Sequence, residues 1–264
     1  MIAEAICRYK EKNGFGRFVP KAVLFDMDGV CYDSMPNHAA AWHRAMASYG
    51  IAMSEAEAFR YEGMRGSDII KLVVKQRTGR ETSEEDAVAM YEEKARLFSL
   101  MPRPAIMPGV VCLMRQIRAA GMQICVVTGS GQRPLLARLL NDFSEFIDDR
   151  HLVTAFDVRR GKPLPDPYLM GLDKCGKLQP WEAMVVENAP LGVRAGVGAR
   201  IFTVAVNSGP LPDAALADEG ADLVFPTMTT LAEQWRAITA AQDASHAGTT
   251  EPPSPRDSGA SVTR

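Results

Sequence analysis

A chain of 264 residues, 47% hydrophobic and 23% charged, can bury one large core or two smaller ones and has the make-up of an ordinary soluble globular protein. A near-balanced chain, with a formal net charge of −2, argues weakly against nucleic acid as the main partner, since that usually demands a basic face, and no apolar run is long enough to span a bilayer. Five cysteines, an odd number with no C-x-x-C spacing, argue against a disulfide framework or a zinc site and for a reducing cytoplasm.

Residues 1–20 read as an N-terminal extension. Glu4, Arg8, Lys10 and Glu11 interrupt its apolar residues, so it lacks the continuous apolar segment of a secretory signal. The first strand, Ala22–Phe25, ends on Asp26-Met27-Asp28-Gly29: two carboxylates separated by one residue, then a glycine that lets the chain turn sharply. Acids this close repel unless a cation or a shared proton neutralises them, and hard oxygen donors favour Mg²⁺. A turn carrying two solvated acids fits the same four residues.

From 36 to 103 no strand is evident. Helical patterns cover Ala39–Tyr49, Ser67–Gln76 and Glu84–Leu97, and Ser83 with Asp86 three residues on resembles a capping box. Pro102 and Pro104 mark the exit of this all-helical insertion. Beyond it, a helix over Val110–Ala120 carries Val110, Leu113, Met114 and Ile117 at helical spacing. Strands follow at Ile124–Val127, Leu152–Val153, Met184–Val186, Ile201–Val206 and Leu223–Phe225. Strands separated by helices predict right-handed βαβ units and a buried parallel sheet. Cys125, inside one of these runs, is expected to be a small buried hydrophobe. Residues 242–264 are rich in Ser, Thr, Pro, Gly and Ala, with Pro252, Pro253 and Pro255 among them, and read as a disordered tail.

Three more segments carry chemistry-bearing residues. Ile124–Val127 runs into Thr128-Gly129-Ser130-Gly131, where a hydroxyl and small residues would let backbone N–H groups approach an anion. Taken alone, this is also a common strand-to-helix turn. In Gly161-Lys162-Pro163-Leu164-Pro165-Asp166-Pro167, three prolines fix a loop around one lysine, as a held positive charge for phosphate requires. Met184–Val186 runs into Glu187-Asn188, an acid and an amide oxygen able to ligate or orient a hard cation. In open parallel sheets, ligands bind beyond the carboxyl ends of the strands.

This ordered set resembles the haloacid-dehalogenase superfamily of aspartyl phosphotransferases over Lys21 to Ala232. Asp26-Met27-Asp28-Gly29-Val30, with Asp33-Ser34 beyond, looks like its first motif, Thr128-Gly129 its second, Lys162 its third and Glu187-Asn188 its fourth. Cys31 to His38, followed by Trp42, and the helical insertion after the first motif are similar to the β-phosphoglucomutase-like branch. The resemblance implies a doubly wound parallel-sheet, Rossmann-like α/β core over 21–35 and 104–241, with an all-helical cap over 36–103.

The same resemblance implies roles. Asp26 attacks phosphorus and carries an aspartyl-phosphate. Asp28 protonates the leaving oxygen and then activates the incoming hydroxyl or water, with its backbone carbonyl on the metal. Thr128, the Gly129 N–H and Lys162 hold the phosphoryl oxygens, and Ser130 lies beside them. Asp26, Asp28, Asn188 and Glu187 are the expected surroundings of Mg²⁺. Where the branch usually has Glu-Asp, this chain has Glu187-Asn188, one negative charge fewer. His38 at the cap entrance fits a substrate contact and a surface position equally. The mutase branch carries Gly-x-Ser-Arg in its cap, whereas here Glu62-Gly63-Met64-Arg65-Gly66 puts Arg65 one position early and Gly66 where the arginine would align. Arg65 fits a substrate contact or a solvated position. The expected function is a phosphatase of a small phosphorylated metabolite, a sugar phosphate first; the oligomeric state is open, a monomer being favoured. The alternatives are a hexose-phosphate mutase and a catalytically silent scaffold.

Overall fold

The computed structural model describes residues 1–244. In chain order its elements are α1 (Ile2–Asn13), β1 (Ala22–Phe25), α2 (Met35–Ser48), α3 (Glu55–Tyr61), α4 (Gly66–Thr78), α5 (Glu84–Ser99), α6 (Val110–Ala119), β2 (Gln123–Val127) and α7 (Arg133–Asp142). They continue with β3 (Leu152–Val153), α8 (Asp166–Lys174), β4 (Ala183–Glu187), α9 (Pro190–Gly198), β5 (Phe202–Val206), α10 (Ala214–Ala217), β6 (Leu223–Phe225) and α11 (Met228–Ala244). The six strands form one parallel sheet in the order β3-β2-β1-β4-β5-β6.

The apolar runs are continuous because both faces of the sheet are covered. Alternate residues go to opposite cores. Val23, Phe25, Ile124, Val126, Met184 and Val186 join one, with Leu113, Met114 and Ile117 of α6 and Leu231 and Trp235 of α11. Leu24, Cys125, Val127 and Val185 join the other, with Tyr168 and Leu172 of α8 and Ala195 of α9. The N-terminal extension is largely helical. Tyr9 of α1 packs edge-on against Phe18 and Phe202 and donates its hydroxyl to the Arg200 carbonyl at 2.9 Å.

Helices α2 to α5 close around a separate core that includes Ala39, Trp42, Met46, Ile70, Val73 and Ala87. The two passages between cap and core run side by side: Asp33 N–H donates to Ala105 O at 3.0 Å and Met107 N–H to Cys31 O at 2.9 Å. The cap has a helix that the periodicity did not reveal, α3, only seven residues long and started by a reciprocal Ser54–Glu57 capping box. At α5 the resemblance to such a box holds by half. Asp86 N–H donates to Ser83 Oγ at 3.0 Å, but the shorter Asp86 carboxylate takes the Ser83 hydroxyl. Helix α11 runs to Ala244, three residues past the expected end of the core at 241. The rest of the expected tail, 245–264, lies outside the described residues.

Candidate active site

The sheet register sets the site. Phe25 pairs with Val126 on one side and Val186 on the other, so the chain leaves β1, β2 and β4 at one level. Asp26, Thr128 and Glu187 follow within two residues of those pairs. The strand order diverges at β1, which places this edge at the switch point of the sheet.

Lys162 is the hub. Its side chain is fully buried, and its ammonium donates to an Asp26 carboxylate oxygen, to Glu187 Oε1 at 2.6 Å and to Val127 O at 3.0 Å. Glu187 is fully engaged. Tyr168 donates its hydroxyl to Oε1 at 2.6 Å, and the N–H groups of Asn188 and Ala189 donate to Oε2 at 3.0 and 3.3 Å. Gly192 lies so close that a Cβ there would sit 2.0 Å from Oε1. Glu187, expected beside the cation, thus faces Lys162 with no oxygen left over, and orients the lysine instead. Tyr168 was not singled out from the sequence, where it reads as one more apolar-face residue of a helix.

Burial lifts the Asp26 carboxyl well above the usual range, and Glu187 and Asp28 push the same way against the pull of Lys162. Burial works against the Lys162 charge, but Asp26 and Glu187 outweigh it and raise its pKa. Two carboxylates on one lysine leave negative charge over, which is the condition a divalent cation answers. Asn188 Oδ1 is buried and, among the described residues, has no hydrogen-bond partner. Gly29, at φ +85°, turns the first loop against this amide, and a Cβ there would fall 2.0 Å from Nδ2. An orphaned amide oxygen beside a charge-rich carboxylate fits a hard cation. Among the described residues no group of three His, Cys, Asp or Glu side chains could hold a metal ion. Asn188, an amide, falls outside that set of side chains.

Asp28 has a different environment. Ser34 Oγ donates to its Oδ1 at 2.6 Å, and His38 Nε2 lies 3.0 Å from the same oxygen. Burial opposes its charge, but His38, Ser34 and Lys94 outweigh it and hold the carboxyl below its ordinary value. His38 Nδ1 is 2.6 Å from Lys94 Nζ, so a buried chain runs from Asp28 through His38 to Lys94 of the cap. His38 also stacks on Phe98 with ring centroids 4.2 Å apart. The Lys94 ammonium sits over the rings of Trp42, Tyr91 and Phe98 at 5.1, 5.9 and 5.3 Å, and burial pushes its pKa down to about 8. Tyr91 and Lys94 escaped the sequence reading. The signal was present: residues 91, 94 and 98 share a helix face, and a lysine there breaks an otherwise aromatic stripe.

Thr128 and Ser130 form a tight turn. Ser130 N–H donates to Thr128 Oγ1 at 3.0 Å, and Gln132 N–H to Ser130 Oγ at 3.2 Å. A Cβ on Gly129 would lie 2.6 Å from the Gly63 carbonyl of the cap, so the cap closes directly onto this turn. Arg65, which fitted a substrate contact or a solvated position, donates Nη1 to the Arg159 carbonyl at 2.8 Å, in the loop that leads to Lys162. It lines an outer cleft of about 820 Å³ between cap and core. Gly66 is the first residue of α4, and a Cβ on it would fall 2.1 Å from the Tyr91 ring.

The family model for haloacid dehalogenase-like hydrolases matches residues 20–200. Hexitol phosphatase A of Escherichia coli is 34% identical over 189 residues, covering 71% of this chain and 83% of that protein. A phosphorylated carbohydrates phosphatase of Thermotoga maritima is 30% identical over 182 residues, covering 69% of this chain and 82% of that protein. A solved structure from Bacteroides vulgatus, provisionally named beta-phosphoglucomutase, is 45% identical with a TM-score of 0.88. It covers 92% of this chain and 98% of its own.

Proposed function

The chain belongs to the haloacid dehalogenase-like hydrolase family, and from that premise we propose a Mg²⁺-dependent phosphatase of sugar and polyol phosphates that works through an aspartyl-phosphate on Asp26. The observation that carries this reading is the contrast between two carboxylates two residues apart. Asp26 is clamped by Lys162 among buried charge, while Asp28 is held by Ser34 and His38 facing the cap. Their positions divide the work: Asp26 lies beside the lysine that can hold phosphate, and Asp28 lies on the cap side, where a leaving group would sit.

Asp26 attacks phosphorus and the ester oxygen leaves, taking a proton from Asp28. Asp28, ionised again, then draws a proton from water as the water attacks the aspartyl-phosphate. Ser34 and His38 both engage Oδ1, which leaves the other Asp28 oxygen free to exchange the proton. Lys162 and the backbone N–H groups of the Thr128–Ser130 turn hold the phosphoryl oxygens, and Glu187 and Tyr168 keep Lys162 aimed. Asp26, the Asp28 carbonyl and Asn188 would hold Mg²⁺, which supplies positive charge against Asp26 and the phosphoryl group. Asn188 in place of a carboxylate makes that grip weaker.

The second reading, a hexose-phosphate mutase using the same aspartyl-phosphate, draws on the name of the 45% identical structure. Gly66 weighs against it. The Tyr91 ring fills the space where a side chain at 66 would begin, and Arg65 is spent on Arg159. The deciding experiment incubates the protein with Mg²⁺ and a panel of sugar and polyol phosphates, and measures free phosphate and isomerised ester together. Phosphate is the expected product. Glucose 6-phosphate forming faster than phosphate from β-glucose 1-phosphate and a trace of the bisphosphate would establish the mutase. No turnover of any ester, aryl phosphate included, would leave a silent scaffold.

A further inference from the structure

Glu62 is a charged group that the phosphoryl chemistry leaves unused. It caps the C-terminal end of α3, just before Gly63, whose φ of +87° turns the chain down onto Lys162. It lines a small cavity of about 20 Å³ between cap and core, together with Asp28, His38, Trp42, Lys94 and Ser130, which a leaving group would have to widen. The other polar groups on the cap side are already committed. Asp28 Oδ1 takes Ser34 and His38, and His38 Nδ1 takes Lys94. Lys94 turns its ammonium to three aromatic rings. The Gly63 N–H is a backbone partner of the Glu62 carboxylate, but among the described residues no side chain donates a hydrogen bond to it, so acceptor sites remain for whatever enters. It shares this cavity with Asp28, on the side where a leaving group would be protonated; burial raises its pKa and Asp28 pushes the same way, while His38 and Lys94 favour its charged form.

Resting on the phosphatase reading, we infer that Glu62 sorts leaving groups by charge: it accepts hydroxyls of a neutral polyol or sugar and repels esters that carry a carboxylate or a second phosphate. An ionised carboxylate offers about four lone-pair sites and no donor, which suits vicinal hydroxyls. Glu62 and Asp28 both face this cavity, and the single Lys94 charge acts on both of them and can balance only one. Like charges forced together are a strong device against wrong partners.

The test compares glycerol 3-phosphate and sorbitol 6-phosphate with 2-phosphoglycolate, using an aryl phosphate as a hydroxyl-free control. Wild type, Glu62→Gln and Glu62→Asp are assayed, with circular dichroism to verify folding. Wild type should prefer the polyol esters by about tenfold or more in kcat/KM. Glu62→Gln should shrink that preference by about tenfold, through a higher KM for the polyols and a gain on phosphoglycolate, with aryl phosphate turnover changing less than either. Glu62→Asp keeps the charge and should keep the rejection. A wild type that prefers phosphoglycolate overturns the inference whatever the variants do. So does an unmoved preference in folded Glu62→Gln, or equal loss of rejection in both variants, which would mark a packing effect. If wild type hydrolyses aryl phosphate and any of these outcomes appears, Glu62 has been misread. If it hydrolyses nothing, the phosphatase reading itself has failed.

Discussion

Replacing Lys162 by methionine keeps an apolar stem of similar reach and removes the one charge between Asp26 and Glu187. The side chains of Lys162, Asp26 and Glu187 are 0%, 4% and 0% exposed, so bulk water cannot take the place of the ammonium. Breaking a buried pair by deleting one partner costs about 3–5 kcal/mol, because the other charge is left uncompensated. At about 2–4 °C per kcal/mol for a chain near this size, the melting temperature should fall by about 6–20 °C. The loss should depend on pH with a defined sign. Asp26 is already raised well above 3.8, and removing Lys162 takes away the largest influence pulling it back. A carboxyl raised in the folded state binds more protons there than in the unfolded state, so stability falls as pH rises above the unfolded value. Acidifying from about pH 7.5 to about pH 5.5 should therefore narrow the gap between variant and wild type. Thermal melts of both proteins at both pH values measure this. A variant that melts within about 2 °C of wild type near neutrality, or a gap that widens on acidification, would refute the buried-triad account.

Four other outcomes follow from the same geometry. Asp26→Asn should abolish phosphate release while circular dichroism stays native, because an amide is too poor a nucleophile; near-normal turnover in a clean preparation would remove Asp26 from that role. Asp28→Asn should slow sugar-phosphate hydrolysis by about 10²–10⁴-fold and aryl-phosphate hydrolysis less, since an activated leaving group needs little protonation; equal losses would assign Asp28 to the metal alone. Asn188→Asp should lower the Mg²⁺ concentration for half-maximal activity, and an unchanged value would show that this amide oxygen does not meet the ion. Lys94 is charged below its pKa of about 8 and neutral above it. Activity should thus decline on the alkaline side of pH 8, and Lys94→Met should flatten that limb; a limb of unchanged midpoint in the variant would place the titration elsewhere.

The core was legible because strand ends are legible. Each apolar run stops where a polar residue begins, and parallel pairing puts those stops at one level: Phe25 beside Val126 and Val186 fixes Asp26, Thr128 and Glu187 together. What the sequence could not supply was direction. Glu187 and Asn188 are adjacent, and both carry oxygens suited to a cation. Backbone N–H groups and Tyr168 hold Glu187 toward Lys162, and only Asn188 is left with an unpartnered oxygen. Spacing also left the direction of Arg65 open. As the N-cap residue of α4, it points along the loop to Arg159, an orientation that residue spacing does not encode.

The cap was less legible because helix faces meet at angles that no residue spacing prescribes. Glu62 comes from a helix end and Lys94 from the middle of another helix, 32 positions later in the chain. Glycines record where such surfaces touch. Gly129 must lack a side chain for Gly63 to approach, and Gly66 must lack one for the Tyr91 ring. The division has a consequence for kinetics. Residues fixed by strand register face the phosphoryl group, which every substrate shares, so changing them should depress turnover across substrates alike. Glu62 and the aromatic faces around Lys94 meet the leaving group, which differs from one substrate to the next. Changing them should redistribute kcat/KM among substrates before it lowers the common rate.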